Sequence, residues 1–246
     1  MFDTGAVVVP AAFSSSRDLS DLQELAEQIR PVVLARQAVL PVCGPLEQVI
    51  PDRGLVRGST IALGGVGATS LALQLIAAAS KNGSWIVVVG LSDLAPVAVL
   101  EAGLDADRVA FIDPGGSGRQ VDVLAALIGA IDIVVLDSRL SFRDSDIRRL
   151  GSRLRERGSI LVVVSPGNEP TSQWSSDLIF TVHDQQWEGL GCGHGHLRSR
   201  RVRVGVGGRG RASRNMQHEL LLPATDGQVA VVECEDGGGT VVAFGR

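Results

Sequence analysis

Residues 58–79 read GSTIALGGVGATSLALQLIAAA, and the order of residue types in this stretch decides the fold. Ile61, Ala62 and Leu63 make a short apolar strand. Gly64, Gly65 and Gly67 make a glycine turn, and the Ala- and Leu-rich run after it reads as a helix. Strand, glycine turn and helix N-terminus in immediate succession form a phosphate cradle. In the working pattern G-x-x-x-x-G-K-[ST], glycines let backbone N–H groups wrap the phosphates, the lysine reaches the β/γ-phosphates, and the hydroxyl ligates Mg²⁺. Here Thr69 holds the hydroxyl position and Ala68 stands where the lysine belongs. The first glycine is also displaced, because Ala62 occupies its position and the loop is short.

Lys81 is the only lysine in the chain. It lies about 18 Å down the helix from Thr69 at the usual helical rise, out of reach of the turn. Arg57 precedes the strand and belongs to its opposite end. The frame is that of a nucleotide enzyme without its main charge, which points to a use other than hydrolysis.

A chain of 246 residues is long enough for one full α/β core and a modest appendage. No apolar run approaches the roughly 18 residues of a membrane span. MFDTGAVVVPAAFSSS at the start has no basic region of the signal-peptide kind. Cys43, Cys192 and Cys234 are odd in number and far apart, which disfavours a disulfide framework. These features lead us to expect a cytoplasmic protein. The net charge of −4 argues against coating nucleic acid with the whole surface. Charge is uneven, however: 189–218 contains no acidic residue but holds Arg198, Arg200, Arg201, Arg203, Arg209, Arg211 and Arg214 among many glycines.

Along the chain, 18–38 opens with acidic residues and repeats Leu19, Leu22, Leu25 and Ile29 at helical spacing, with Pro31 as a stop. The connector 41–58 is rich in Pro and Gly. Apolar runs at 61–63, 85–89, 109–112, 131–136 and 160–164 then alternate with helical stretches at 68–80, 94–103, 120–129 and 143–157. This succession predicts an α/β fold with a mostly parallel sheet flanked by helices on both faces. Short candidate strands at 178–182, 201–206, 218–222, 229–234 and 240–244 read as antiparallel additions or a small subdomain. The expected organisation is a helix and connector over 1–53, a core over 54–184 and a Gly/Arg-rich extension over 185–246.

Ile131–Asp137 reads IDIVVLD. An apolar strand that ends in Asp is how a nucleotide fold presents its Mg²⁺-associated carboxylate at the carboxyl edge of the sheet. Asp137 is that candidate. The stretch from about Gly54 to Asp184 resembles the ATPase core of the recombinase RecA: GLVRGSTIALGGVGATSLALQLIAAA resembles its phosphate-loop segment, IDIVVLDS its second nucleotide strand, and WIVVVGLSDLAP the strand that carries its catalytic glutamate. By that resemblance Leu91 falls at the glutamate and Ala68 at the lysine, while Thr69 and Asp137 survive. A leucine cannot activate water. Among RecA-like proteins the GGVGATSLAL loop looks most like the ImuA-type accessory factors of actinobacterial translesion synthesis. These act with an ImuB-like Y-family polymerase homologue and, through it, an error-prone C-family polymerase.

The resemblance implies a non-catalytic RecA-fold adaptor with no cofactor beyond weak residual nucleotide binding, cytoplasmic and associated with the nucleoid when DNA is damaged. Gly64, Gly65, Gly67, Thr69 and Asp137 would form a vestigial nucleotide site. Trp187 and the seven arginines of 198–214 would meet the partner, with self-association and DNA contact left open. Two rival readings stay open: a SulA-like regulator of cell division and a DNA-dependent ATPase of recombinase type. Three smaller features are weighed against structural roles. Cys192, His194 and His196 form C-x-H-x-H, which lacks the fourth ligand of a structural zinc site unless His183 or His218 supplies it. Trp174 would stack on a base only if cations lay beside it, and 165–186 holds none but His183. Cys43 has no catalytic partner in sequence.

Overall fold

The computed structural model describes residues 39–116, 118–190, 195–233 and 240–241. The expected helix at 18–38 lies outside the described residues. A small ribbon of β1 (Val39–Leu40) and β2 (Leu55–Val56) brackets the one-turn α1 (Gly44–Glu47). The Pro- and Gly-rich composition of 41–58 suggested only a connector. Leu46, Val49, Ile50 and Leu55 are buried there, and these four apolar side chains are what fold it onto the body.

The main sheet has ten strands: β3 (Thr60–Gly65), β4 (Ile86–Val89), β5 (Val109–Ile112), β6 (Ile133–Asp137), β7 (Ile160–Pro166), β8 (Leu178–Leu190), β9 (Gly195–Gly208), β10 (Met216–Leu221), β11 (Ala230–Glu233) and β12 (Thr240–Val241). Their spatial order is β12-β11-β10-β9-β8-β3-β7-β6-β4-β5. From β8 to β5 the neighbours run parallel, and from β8 to β12 they run antiparallel. The central strands are continuous Val/Ile/Leu runs because both faces are covered, as parallel strands require.

Helix α2 (Ala68–Lys81) follows β3, α3 (Pro96–Glu101) follows β4, α4 (Gln120–Leu127) follows β5, and α5 (Asp144–Arg157) follows β6. Two apolar clusters flank the sheet. One is built from α2, Val99 of α3 and one face of the strands. The other is built from Val123, Leu124 and Leu127 of α4 and Ile147, Leu150 and Leu154 of α5 on the opposite face. Helix α5 places its acidic Asp144 and Asp146 in the first turn and Arg155 and Arg157 in the last, in keeping with the helix dipole. Its other face exposes Arg148, Arg149, Arg153, Arg155 and Arg157.

The α/β, mostly parallel architecture with antiparallel C-terminal strands is the one the alternation predicted. The late strands differ in length. β8 and β9 run 13 and 14 residues as one hairpin, where 178–182 and 201–206 were expected. Only the inner part of the hairpin touches β3 and β10, with β10 reaching as far as Arg201 and its continuation as far as Arg200; the outer part pairs with itself, from Glu188↔Ser199 to Leu190↔Gly195. Its polar, glycine-rich sequence hides the strand period because neither face of this outer part is fully buried. The expected boundary at 184 falls inside β8, at a bulge between His183 and Gln185.

Candidate functional site

The glycine turn sits at the carboxyl edge of the sheet, as its residue types require. Gly65 (φ 96°) and Gly67 (φ 95°) both adopt left-handed backbone, which costs a residue with a Cβ about 1–2 kcal/mol. Gly67 caps α2, and Val66 between the two glycines is exposed. Ala68 is fully buried, and Thr69 lies half-buried in the first helical turn.

The chain's own groups occupy the cradle. The loop after β7 folds back over the turn: the Gly65 N–H donates to the Asn168 carbonyl at 2.5 Å, and the Gly167 N–H donates to the Gly65 carbonyl at 3.2 Å. Pro170 closes over Gly64. From the other side Arg200 of β9 lays its guanidinium against Gly67, so close that a Cβ there would stand 2.6 Å from Nη2. Arg200 is only 7 % exposed. Its Nε donates to the Leu222 carbonyl at 2.6 Å, and its guanidinium lies 5.3 Å from the centre of the Trp187 ring. Burial pulls its pKa below the ordinary arginine value. Among the described residues it has no carboxylate partner. A cation thus stands at the helix end where the lysine is missing, but it is held by its own strand.

Asp137 ends β6, two strands from β3. Both it and Leu63 pair with Val164, so the carboxylate lies level with the end of β3, about 10 Å away by strand spacing. It is 1 % exposed and fully engaged. Oδ1 accepts the Arg139 backbone N–H at 2.8 Å; Oδ2 accepts the Arg139 Nε at 2.8 Å and Nη2 at 2.6 Å. The same guanidinium reaches Asp93 at 3.3 Å. Leu91, which the RecA resemblance aligns with the glutamate, is buried in the apolar cluster. The residues present do not fit a nucleotide with Mg²⁺: a turn amide is taken by Asn168, and the metal's carboxylate is paired with a guanidinium. No chemical step is derived through such a group.

The arginines of 198–214 do not form one patch. Arg200 points into the molecule, so it is not available at the surface as a partner contact; β9 turns its even-numbered residues 200, 202, 204 and 206 inward. Arg201 pairs with Glu219 (3.4 Å) and Glu188 (3.7 Å), and Arg203 with Asp184 (3.2 Å). The segment lacks acids of its own, and strands β8 and β10 supply them. Arg198 and Arg214 are exposed, and Arg209 is exposed at the far end of β9. The Arg211 side chain lies outside the described residues. Trp187 is 39 % exposed on its other face and shares the outer hairpin with Leu190 (65 %) and Leu197 (49 %). Sequence reading missed Asn168, Pro170 and Arg139. Only Arg139 left a signal, as a cation two residues beyond the candidate aspartate.

Trp174 is a core residue, edge-on to Phe142 at 5.5 Å, and is withdrawn from any base. Cys43 packs against the core, and burial raises its thiol pKa. Cys192 and His194 lie outside the described residues, and among the described residues no three metal-type side chains gather. No helix among the described residues is long and apolar enough to cross a membrane.

The sequence profile of the MT3502 N-terminal domain matches residues 48–171. The uncharacterized protein Rv3395c of Mycobacterium tuberculosis (strain ATCC 25618 / H37Rv) is 30 % identical over 166 residues, which cover 62 % of this chain and 76 % of that one. The crystal structure of the RadB recombinase superposes with a TM-score of 0.55 at 13 % identity, covering 76 % of this chain and 96 % of that one. The fold is therefore RecA-like.

Proposed function

The chain belongs to the MT3502 N-terminal domain family, and from that premise we propose that it is a non-catalytic RecA-fold adaptor of damage-induced, error-prone translesion synthesis, one that binds an ImuB-like Y-family polymerase homologue. The observation that carries the reading is the closed cradle: Asn168 on the Gly65 amide, Arg139 on the Asp137 carboxylate, and alanine and leucine at the lysine and glutamate positions. A RecA-type body whose turn amide and candidate metal carboxylate are both engaged by its own groups keeps its value as a rigid scaffold. The outer β8–β9 hairpin is the surface we assign to the partner, since Trp187, Leu190 and Leu197 expose apolar area beside Arg198.

The experiment is co-purification of the full chain with the polymerase homologue, with Trp187→Ala/Leu190→Ser as the surface variant, alongside an ATPase assay of wild type and Asp137→Ala. Capture that the double variant loses, with no Asp137-dependent hydrolysis, supports the adaptor. Hydrolysis that Asp137→Ala abolishes overturns it. A folded wild type that captures no partner moves the division-regulator reading forward, and filamentous cells on overexpression would mark that case.

A further inference from the structure

Strands β6 and β4 lie side by side, and the chain leaving each brings one carboxylate to the same place at the carboxyl edge of the sheet. Asp137 ends β6, and the segment after β4 carries Asp93. Gly90 (φ 78°) lets that segment start close to Asp137, since a Cβ there would stand 2.8 Å from Leu140 Cδ1 and 3.5 Å from Asp137 Cβ. The two carboxylates converge on a single nitrogen: Arg139 Nη2 donates to Asp137 Oδ2 at 2.6 Å and to Asp93 Oδ2 at 3.3 Å. Carboxylate oxygens from one or two residues, completed by water, are also how a hard divalent ion such as Mg²⁺ is held.

Here the cation belongs to the chain. The Arg139 N–H donates to Asp137 Oδ1 at 2.8 Å and the Leu140 N–H to the Asp137 carbonyl at 3.2 Å, a turn that folds the arginine back over the end of its own strand. Among the described residues every hydrogen bond to the Asp137 carboxylate comes from Arg139. Oδ2 accepts both Nε and Nη2, so a metal on that oxygen must displace the guanidinium. Nor can the occupant be discharged by pH. A guanidinium stays protonated in proteins, and the hydrogen bond to Asp137 holds its pKa higher still. With the arginine in place the cluster carries one net negative charge; without it, two carboxylates remain, a match for a divalent ion.

We infer that Arg139 is a built-in replacement for a divalent metal: Asp137 and Asp93 form a latent cation site that this chain keeps filled with its own guanidinium. The protein takes up no metal there, and whatever this body binds, it binds without one. Nothing in this depends on the partner proposed above. Metal uptake by the wild type would refute the replacement and leave capture of the polymerase homologue standing.

The probe is Mn²⁺ alone, followed by the loss of its free electron paramagnetic resonance signal as the full chain is titrated in. The wild type should take up no Mn²⁺ beyond what Asp137→Asn takes up. Arg139→Ala should gain a saturable site about tenfold or more tighter than any on the wild type, because the repelling cation is gone and both carboxylates are left. Arg139→Gln, which keeps an N–H for Asp137 without the charge, should gain it too and carries the comparison if Arg139→Ala is too unstable to titrate. Adding Asp137→Asn should abolish the new site, and adding Asp93→Asn should weaken it. Mn²⁺ should also raise the melting temperature of the arginine variants and leave that of the wild type unchanged. Circular dichroism establishes that each variant is folded. Asp137-dependent uptake by the wild type overturns the inference. So do folded arginine variants that bind Mn²⁺ no more tightly than the wild type, or a new site that survives Asp137→Asn.

Discussion

The guanidinium of Arg139 closes on the carboxylate of Asp137 through Nε at 2.8 Å and Nη2 at 2.6 Å. The pair is lopsided: the Asp137 side chain is 1 % exposed and that of Arg139 is 56 % exposed. Removing the arginine leaves a buried carboxylate with only the Arg139 backbone N–H. A fully buried pair broken this way loses 3–5 kcal/mol, and solvent screening of the exposed partner brings the expected cost of Arg139→Ala to about 1–2 kcal/mol. That corresponds to a melting temperature lower by roughly 2–8 °C for a chain of this size, which differential scanning calorimetry would read. Asp137→Asn/Arg139→Ala should recover most of the loss. A double variant as unstable as the single one would refute the pairing.

The glycine turn makes a graded prediction. At Gly65 a Cβ would stand 2.1 Å from the Val182 carbonyl oxygen, which is strand backbone and cannot yield; at Gly67 it would meet the tip of the Arg200 side chain, which can. Both positions also charge the left-handed φ. Gly65→Ala should therefore cost about 3 kcal/mol or more, and Gly67→Ala about 1–2 kcal/mol. Urea unfolding of the two variants checks the order, and equal costs would remove the steric reading.

Most of the frame was legible in residues 58–164. Continuous Val/Ile runs and intervening amphipathic stretches mark parallel strands and covering helices without tertiary knowledge, and the glycine turn and Asp137 fix the edge where they meet. What closes that edge was not legible. Asn168 acts through its backbone carbonyl, which any residue has, so no side-chain signal marks it. Arg200 looked like one surface cation among seven, and only strand parity and the arrival of Leu222 beside it turn it inward. The acids that pair with Arg201 and Arg203 lie just outside the acid-free window, on strands adjacent in space, so a count along the chain missed that the sheet offsets the charge at these two positions.

Arg200 tests whether a buried cation holds the fold or merely fills space. It sits at the positive end of α2 without a carboxylate, where its charge gains nothing from the helix. Replacement by an apolar chain of similar length is expected to be neutral within about 1 kcal/mol, as for other buried charges. Arg200→Ala should instead cost about 2 kcal/mol through the packing lost against Trp187. Thermal melts of Arg200→Met and Arg200→Ala decide this. A methionine variant as unstable as the alanine variant would mean the charge itself is needed.

The last prediction concerns acid. His218 on β10 has its Nε2 buried without a partner, and burial holds its pKa below the ordinary histidine value. The unfolded chain takes up a proton at this residue near pH 6.5, whereas the folded chain resists until lower pH. Between those two values the unfolded state binds more protons, so stability rises with pH. The contribution is complete above about pH 6.5 and is lost as the pH falls from there through the depressed folded value. Urea midpoints measured from pH 7.5 down to pH 5 should therefore fall, and His218→Gln should flatten the part of the slope that begins near pH 6.5. A slope unchanged by that substitution would place the acid sensitivity in other groups.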